Sequence, residues 1–547
     1  MKLRTLAHLL VITLCAGLLT QVRAVSPPPD GCYPNFTTAE GCKALQSLTT
    51  GVANTGIGWY ALFANSTGSY NTAVGAGALD LNTGDSNTAV GVAALLLNTT
   101  GTNNTANGTG ALVFNNTGEG NTATGAFSMY NNTEGQFNTA NGEFALYSNT
   151  VGERNTALGD SALYLNTEGS RNTAIGNPAM LNNITGNDNT AVGASALFSN
   201  DGDDNTAVGA AALSSNTTGD ENTATGASAL SSNTVGFFNT AVGAHALLNN
   251  TTGDRNTATG HDALVNNTEG GNNTAYGLDA LSSSMTADNN TAVGAGALSV
   301  HITGTDNTAM GRAALPNSIN ASNNTGIGSG VMFSHTTGSS NTAVGYNALA
   351  SSTSGIGNIA LGASAGSGVT TADGVICIGA AGQNVSQSCY IDNIFGTTSP
   401  SGIQVLVNAD GKLGTVVSSQ RFKEQIKPMN NASELLFALQ PVTFRYAKQF
   451  DSSSAQQFGL VAEQVEKVSP DLIVRDREGK PYSVRYDQVN AMLLNEFLKE
   501  HRKNEEQEAT IARQQKQIDT LIEGLQKVNA ELELNRRAPR LVASHHN

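Results

Sequence analysis

Small apolar residues and polar residues recur in a short unit that fills most of the chain. The unit begins with Asn-Thr-Ala-Val-Gly or a close variant, and its first Asn returns every 17 residues, or every 16 at two places, from Asn54 to Asn358. Most units carry Ala and then Leu or Met at their eighth and ninth positions. This period is too short for a helical hairpin or a propeller blade. It predicts a parallel β-solenoid, in which each unit is one coil that pairs with the coils above and below it.

The residue types within the unit indicate what each position does in a coil. Gly at position five is present in all of these units and predicts a corner with positive φ. Positions two to four predict a half-buried strand, although Asn107 and Asn141 at position four leave open whether position three or four faces inward. Leu at position nine is the main apolar side chain, and Asn at position one is expected to form an amide ladder. The second half of the unit, rich in Asn, Asp, Gly and Thr, predicts turns.

The apolar content of one coil is low, so a single solenoid looks under-filled, and association of several chains would bury more apolar surface. The units over residues 37–379 resemble the head repeats of trimeric autotransporter adhesins of the YadA type. That resemblance implies a left-handed parallel β-roll in a homotrimer. An ice-binding solenoid is an alternative, but the Thr residues are spread over several positions without a sustained Thr-x-Thr pair.

A second pattern begins after the repeats. Two apolar runs flank Ala409-Asp410-Gly411 and predict a β-hairpin over 403–415. Further along, the spacing of apolar residues predicts a helix over 432–439, a strand over 441–450, a helix over 458–468, a strand over 483–489 and a long helix from about Asn490. That last helix carries heptads with an apolar seam from Ile511 to Leu532, interrupted at Gln514. A multimeric coiled coil is the favoured interpretation of the seam, and a single surface helix is the alternative.

The two parts of the chain that carry these patterns also differ in charge. Residues 1–417 contain 25 acidic and 9 basic residues, whereas residues 418–547 contain 18 acidic and 19 basic ones. The net charge of −15 argues against nucleic acid or an anionic membrane as the main partner. Only 5% of the residues are aromatic, so a large conventional catalytic core is not expected.

The first residues have the features of a secretory signal peptide. Lys2 and Arg4 precede an apolar run over 6–19, and Val22-Arg23-Ala24 offers small residues for cleavage after about Ala24. The mature chain is then secreted or at the cell surface, with no membrane span; an uncleaved N-terminal anchor is the alternative.

Four cysteines remain after such cleavage. In an exported chain an even number of cysteines predicts disulfides. Of the three possible pairings, the one that joins cysteines close in sequence is Cys32–Cys42 and Cys377–Cys389. These cysteine spacings do not fit a metal site, and neither a metal nor a cofactor is predicted.

Three strings in the second part carry a further resemblance. They are Ser418-Ser419-Gln420-Arg421-Phe422-Lys423, Val442-Thr443-Phe444-Arg445-Tyr446 and Gly459-Leu460-Val461-Ala462-Glu463-Gln464-Val465. Over about 416–500 the chain resembles the intramolecular chaperone of phage endosialidases and tailspikes, serine peptidase family seventy-four. The resemblance implies a domain that folds trimeric fibres and then cuts itself off before the motif serine. Ser419 stands where the family usually has Asp, and Glu463-Gln464 inverts the common order.

The chemistry of such a cut can be argued from the residues. A serine hydroxyl needs a base, and a lysine supplies one when burial lowers its pKa. Ser418 is therefore the candidate nucleophile and Lys423 the candidate base, with Val416, Val417, Phe422 and Ile426 as apolar neighbours. The scissile bond would join Val417 to Ser418. The alternative is a folding domain that no longer cleaves.

Together these patterns predict a mainly β protein: an exported homotrimeric β-solenoid fibre, adhesin-like, followed by a small α+β chaperone domain that ends in a coiled coil. The only expected chemistry is one autocatalytic serine endopeptidase turnover in cis; a cell-surface or glycan ligand is not identified. A prophage-encoded tail fibre is the alternative. The predicted domains are 1–24 signal peptide, 25–53 cap, 54–379 repeats, 380–417 linker and hairpin, 418–500 chaperone, 501–535 coiled coil and 536–547 basic tail.

Overall fold

The computed structural model describes residues 34–451 and 453–536. The chain divides into two compact units, with the boundary after Thr397. The predicted signal peptide and Cys32 lie outside the described residues. Across these described ranges, no helix combines the length and hydrophobicity that crossing a membrane requires.

The first unit is a parallel β-solenoid of 22 strands, each three residues long. Every strand pairs with the next strand along the chain, so chain order and spatial order are the same. The solenoid therefore confirms the sequence prediction, and it continues one coil beyond the predicted repeats. Its strands are β1 Thr38–Glu40, β2 Thr55–Ile57, β3 Thr72–Val74, β4 Thr88–Val90, β5 Thr105–Asn107, β6 Thr122–Thr124, β7 Thr139–Asn141, β8 Thr156–Leu158, β9 Thr173–Ile175, β10 Thr190–Val192, β11 Thr206–Val208, β12 Thr223–Thr225, β13 Thr240–Val242, β14 Thr257–Thr259, β15 Thr274–Tyr276, β16 Thr291–Val293, β17 Thr308–Met310, β18 Thr325–Ile327, β19 Thr342–Val344, β20 Ile359–Leu361, β21 Ile376–Ile378 and β22 Cys389–Ile391.

The strands pair in register, so equivalent residues of successive coils form columns. In β10 and β11, for example, Thr190 pairs with Thr206 and Ala191 with Ala207. The middle residue of each repeat strand is buried, and the residues on either side of it face outward. This settles the question that the sequence left open: position three faces inward, and positions two and four do not.

The interior of the solenoid is closed within one chain. The Ala side chains at positions three and eight and the Leu side chain at position nine have no exposed surface, as Ala73, Ala78 and Leu79 illustrate. The expectation that a single coil is under-filled is therefore wrong. The interior is narrow enough for two Ala and one Leu per coil to fill it, and buried Asn side chains occupy the remaining space.

Gly at position five forms the predicted corner. Gly243 has a φ of 135°, a conformation that other residues adopt only at a cost. A Cβ atom at this position would also lie 2.6 Å from the carbonyl oxygen of Gly260 in the next coil. Both the backbone conformation and the close stacking of coils therefore require Gly.

The predicted amide ladder at position one is present. The backbone N–H of Asn121 donates to Oδ1 of Asn104 in the preceding coil over 3.0 Å. The Nδ2 of Asn104 donates to the carbonyl oxygen of Gly118 within its own coil over 2.8 Å. The buried amide thus joins neighbouring coils and also fixes the turn of its own coil.

A second ladder, which the sequence analysis took for turn residues, runs along position twelve. Asn132 is fully buried, and its Nδ2 donates to Oδ1 of Asn115 over 2.7 Å and to the carbonyl oxygen of Gly135 over 3.0 Å. Its Oδ1 accepts from Nδ2 of Asn149 over 2.7 Å. From coil to coil this ladder satisfies buried polar atoms that would otherwise be costly.

We expect Asn132→Ala to lower the free energy of unfolding by about 2 kcal/mol per chain, because it leaves buried polar atoms of Asn115 and Asn149 with one partner fewer. Ser352 is the matched control, since it is buried in the same column and its Oγ has no hydrogen-bond partner among the described residues. Ser352→Ala should change stability little. Denaturant midpoints compare the two variants, and equal midpoints would contradict a stabilising role for the ladder.

The predicted Cys377–Cys389 disulfide is not formed in the structure. Cys377 is the middle residue of β21 and is buried, whereas Cys389 is the first residue of β22 and is exposed; both are free. Neighbouring positions along a strand point to opposite faces, so the two thiols lie on opposite sides of the sheet. Burial raises the pKa of the Cys377 thiol. Cys42 is free and exposed, and its predicted partner Cys32 is outside the described residues.

The second unit combines three small hairpins with helices. The antiparallel hairpins pair β23 with β24, β25 with β26 and β27 with β28. A small core joins α1, β27, β28 and the start of α2 through Val465, Leu472, Ile473, Val484 and Val489. The elements are β23 Val405–Val407, β24 Leu413–Thr415, β25 Val442–Phe444, β26 Gln457–Gly459, α1 Ala462–Val468, β27 Ile473–Arg475, β28 Pro481–Val484 and α2 Tyr486–Arg536, with 3₁₀ segments at Gln420–Phe422, Asn430–Ala438 and Pro470–Leu472; a further 3₁₀ turn, Pro34–Phe36, precedes the solenoid.

The hairpin over 403–415 and the long helix were predicted correctly. Four predictions need correction. The strands predicted over 441–450 and 483–489 are shorter, at Val442–Phe444 and Pro481–Val484. The segment over 458–468 is a strand end followed by a helix, because the antiparallel pairing of Phe458 with Thr443 extends to Gly459 before α1 begins at Ala462. The long helix begins at Tyr486 rather than near Asn490.

Candidate functional site: the segment from Ser418 to Lys423 and the long helix

The predicted nucleophile and base lie on an exposed segment between β24 and the 3₁₀ helix over 430–438. Ser418 precedes the 3₁₀ turn over 420–422, and Lys423 ends that turn, with its backbone N–H donating to the carbonyl oxygen of Gln420 over 3.0 Å. Both side chains are exposed, and neither makes a hydrogen bond within the described part of the chain. A single chain therefore places the two residues near each other in sequence without joining them in a dyad.

The apolar neighbours of Lys423 are also exposed. Val416, Val417, Phe422 and Ile426 keep 50–61% of their surface accessible. The expected apolar surroundings of Lys423 are thus not assembled within one chain, because this segment packs on no core of its own. Within one chain, the Lys423 side chain therefore stays in contact with solvent.

A polar cluster that the sequence analysis missed joins the 3₁₀ helix to α2. The Ser433 side chain is buried and donates to the Glu496 carboxylate, and Nδ2 of Asn495 donates to Ser433 Oγ over 2.6 Å. Lys499 donates to Glu496 over 2.8 Å and lies 3.4 Å from Glu434. Only the spacing of Glu496 and Lys499, three residues apart, could have signalled this cluster in the sequence.

The electrostatics of this cluster suit a structural clamp. The hydrogen bond from Lys499 lowers the pKa of Glu496, and that from Ser433 adds to the effect. The same carboxylate raises the pKa of Lys499. Both shifts favour the charged forms of Glu496 and Lys499, so the two side chains act as an ion pair that joins the 3₁₀ helix over 430–438 to α2.

The predicted coiled-coil seam is uncovered on α2. Ile511, Leu521 and Leu525 keep 61–67% of their surface exposed, and Ile518 and Val528 keep about half. An exposed apolar seam on a helix of 51 residues is unfavourable in water unless another surface covers it. Within the described part of one chain this seam stays uncovered.

One group of described side chains has the geometry to hold a metal ion. His245, His261 and Asp262 lie on adjacent coils with their ligand atoms within 4.8 Å of one another. The Nδ1 atoms of the two histidines lie 3.1 and 2.9 Å from the Asp262 carboxylate. All three side chains are at least partly exposed, and the hydrogen bond from His245 to Asp262, together with the contact between His261 and Asp262, accounts for the arrangement without an ion.

Comparison with known families found a match to part of the second unit. Residues 418–474 match the family model described as chaperone of endosialidase. The match begins at Ser418, the residue at which the sequence resemblance placed the motif serine. Neither the curated proteins nor the solved structures gave a match. The chain thus carries, from Ser418 to Val474, a region that matches the chaperone-of-endosialidase family, preceded by a β-solenoid of 17-residue turns.

Proposed function

We propose that this chain forms an exported homotrimeric fibre, and that its C-terminal part folds the trimer and then cuts itself off between Val417 and Ser418. The observation that carries the proposal is the order of the parts: a long β-solenoid followed by a match to the chaperone family that begins at Ser418. A chaperone-of-endosialidase domain behind a β-solenoid fits a trimeric fibre with an intramolecular chaperone. An adhesive role at the cell surface and export by the segment over 1–24 belong to the proposal.

Trimer assembly would cover apolar surfaces that stay exposed in the single chain. The exposed seam of α2 would be covered by the same seam of two other copies, and the exposed valines and Phe422 would be covered at the same time. Lys423 then loses water, which favours its neutral form. The cut would in this way report that three chains have assembled.

The proposed cleavage uses the side chains of Ser418 and Lys423, the carbonyl group of Val417 and one water molecule. Neutral Lys423 takes the proton from Ser418 Oγ, and the oxygen attacks the carbonyl carbon of Val417. The C–N bond breaks, Lys423 returns the proton to the leaving amine of Ser418, and Val417 is held as an ester. Water then hydrolyses the ester and leaves a carboxylate on Val417 and a free hydroxyl on Ser418. The fibre left behind could not easily refold once unfolded, because the part that folded it is gone, so its stability would be kinetic rather than an equilibrium property.

A prophage tail fibre with the same chaperone is the second candidate, favoured by the family match, which is associated with phage tail proteins. The two candidates differ in export. Detection of the mature fibre outside intact cells, beginning near Val25, supports the exported fibre, and retention in the cytoplasm supports the tail fibre.

The chaperone role predicts that a chain ending at Val417 will not assemble when it is produced directly. Without residues 418–547 nothing holds three chains together while their solenoids are still forming, so we expect monomers or aggregates. The comparison is a full-length chain from the same expression system, with sedimentation velocity as the measurement. A trimer of equal yield and thermal stability from the shortened chain would show that the C-terminal part is not needed for folding.

A further inference from the structure

The outward face of the long sheet has an unusual composition. We define the strand face as the first and third residues of β2–β22, which flank the buried middle residue of each strand. In the 18 strands β2–β19 the first residue is always Thr. The third residue is apolar or Tyr in 16 of the 21 strands, and these side chains stay substantially exposed in one chain, for example Val208 at 39% and Ile378 at 41%.

The strand face carries no charged residue in any of its 21 strands. The solenoid as a whole is strongly acidic, because residues 54–391 contain 21 acidic residues and only four Arg. All of these charges lie on the turns and corners, away from the strand face. Depletion of charge on an exposed, partly apolar surface is characteristic of the core of a protein–protein interface.

We propose that the strand face is the surface through which three copies of the solenoid pack together, an inference that rests on the proposed trimer. Identical acidic chains repel one another except through a surface without charge, and the strand face is such a surface over the full length of the sheet. At about 4.8 Å per coil and 3.3 Å per residue it measures about 100 Å by 10 Å, or roughly 1,000 Å² per chain. In a trimer each chain divides this face between two neighbours, so each of the three interfaces would bury roughly 1,000 Å² in total, which is about the smallest size of a specific interface.

The repeat also makes this surface complementary to itself. Copies related by a threefold axis parallel to the solenoid would bring each rung against the equivalent rung of its neighbours. Five third positions are polar, namely Asn107, Thr124, Asn141, Thr225 and Thr259. Asn107 and Asn141 would meet their own equivalents, where side-chain amides can pair. A polar residue buried in this way fixes the register of the copies, as a single Asn does in a coiled coil.

The test compares two positions that are equally exposed in one chain. Val208 lies on the strand face and is 39% exposed; Leu165 lies on a turn and is 38% exposed. Val208→Cys and Leu165→Cys are made separately in the full chain, and labelling of each site by a maleimide is followed by peptide mass spectrometry. We expect labelling at 208 to be roughly tenfold slower or more, because interface cores exclude water.

The oligomeric mass of both variants is measured in the same samples. A trimer in which both sites are labelled equally fast would overturn the strand-face proposal and leave the trimer standing. If such a trimer also inhibited ice growth, the strand face would be an ice-binding surface instead of a trimer interface. A monomer would remove the proposed function and this inference with it.

Discussion

Replacing Ser418 with alanine should give a full-length chain that still assembles, whereas the unaltered chain should separate into two fragments. The hydroxyl is the only group that attacks in the proposed reaction, so its loss should slow cleavage about a thousandfold or more. Assembly should survive, because Ser418 is exposed and holds no part of the fold together. Denaturing mass analysis of the purified protein gives the chain lengths directly.

Two companion variants assign the roles. Lys423→Ala should also leave the chain uncut, because no other base is proposed for the Ser418 hydroxyl. Ser419→Ala is the matched control, a neighbouring serine whose loss should leave cleavage unchanged. Efficient cleavage of the Ser418→Ala chain would refute the assignment of the nucleophile. If the unaltered chain remained intact after assembly, only the chaperone half of the proposal would survive.

Placing charge in the seam of α2 should have an effect as large as that on cleavage. In Ile511→Asp with Ile518→Asp, a trimer would have to bury six carboxylates in its coiled coil, each at a cost of several kcal/mol. We expect the chain to remain monomeric or to aggregate at concentrations where the unaltered chain is a trimer, and to remain uncut.

The control for the seam places the same charges elsewhere on the helix. Ala512 and Thr520 are exposed and lie off the seam, so Ala512→Asp with Thr520→Asp should assemble and cleave normally. Sedimentation velocity distinguishes the two variants. A seam variant that assembled as well as this control would show that α2 takes no part in trimer formation.

The solenoid could be predicted well because the same residue types recur at the same positions in about twenty units. Gly at position five and Asn at position one have the roles that their chemistry indicated, and the structure shows both. The second ladder escaped notice because Asn132 and its equivalents are surrounded by turn residues. Only the stacking of coils reveals that these side chains point inward and bond to one another.

The size of the interior was misjudged for a related reason. Counting one Leu per coil suggested too little apolar surface, but the narrow coil leaves room for little more than Leu79 and the two Ala side chains beside it. The predicted disulfide between Cys377 and Cys389 is not formed in the structure, because proximity in sequence does not decide on which face of a strand a side chain lies.

The candidate site could be predicted from the sequence only in part. The string from Ser418 to Lys423 identified the start of the family match correctly. It did not reveal that Lys423 and its apolar neighbours are all exposed in a single copy, since that depends on what other surfaces cover them. The clamp between Ser433 and Glu496 joins residues 63 positions apart, so no local pattern could have indicated it.

Native mass spectrometry of the purified, unaltered protein tests the central claim most directly, because it reports the number of copies and the length of each chain in one measurement. The account predicts three copies of a chain that ends at Val417, together with a separate fragment that begins at Ser418. A single copy of an uncut chain would contradict it.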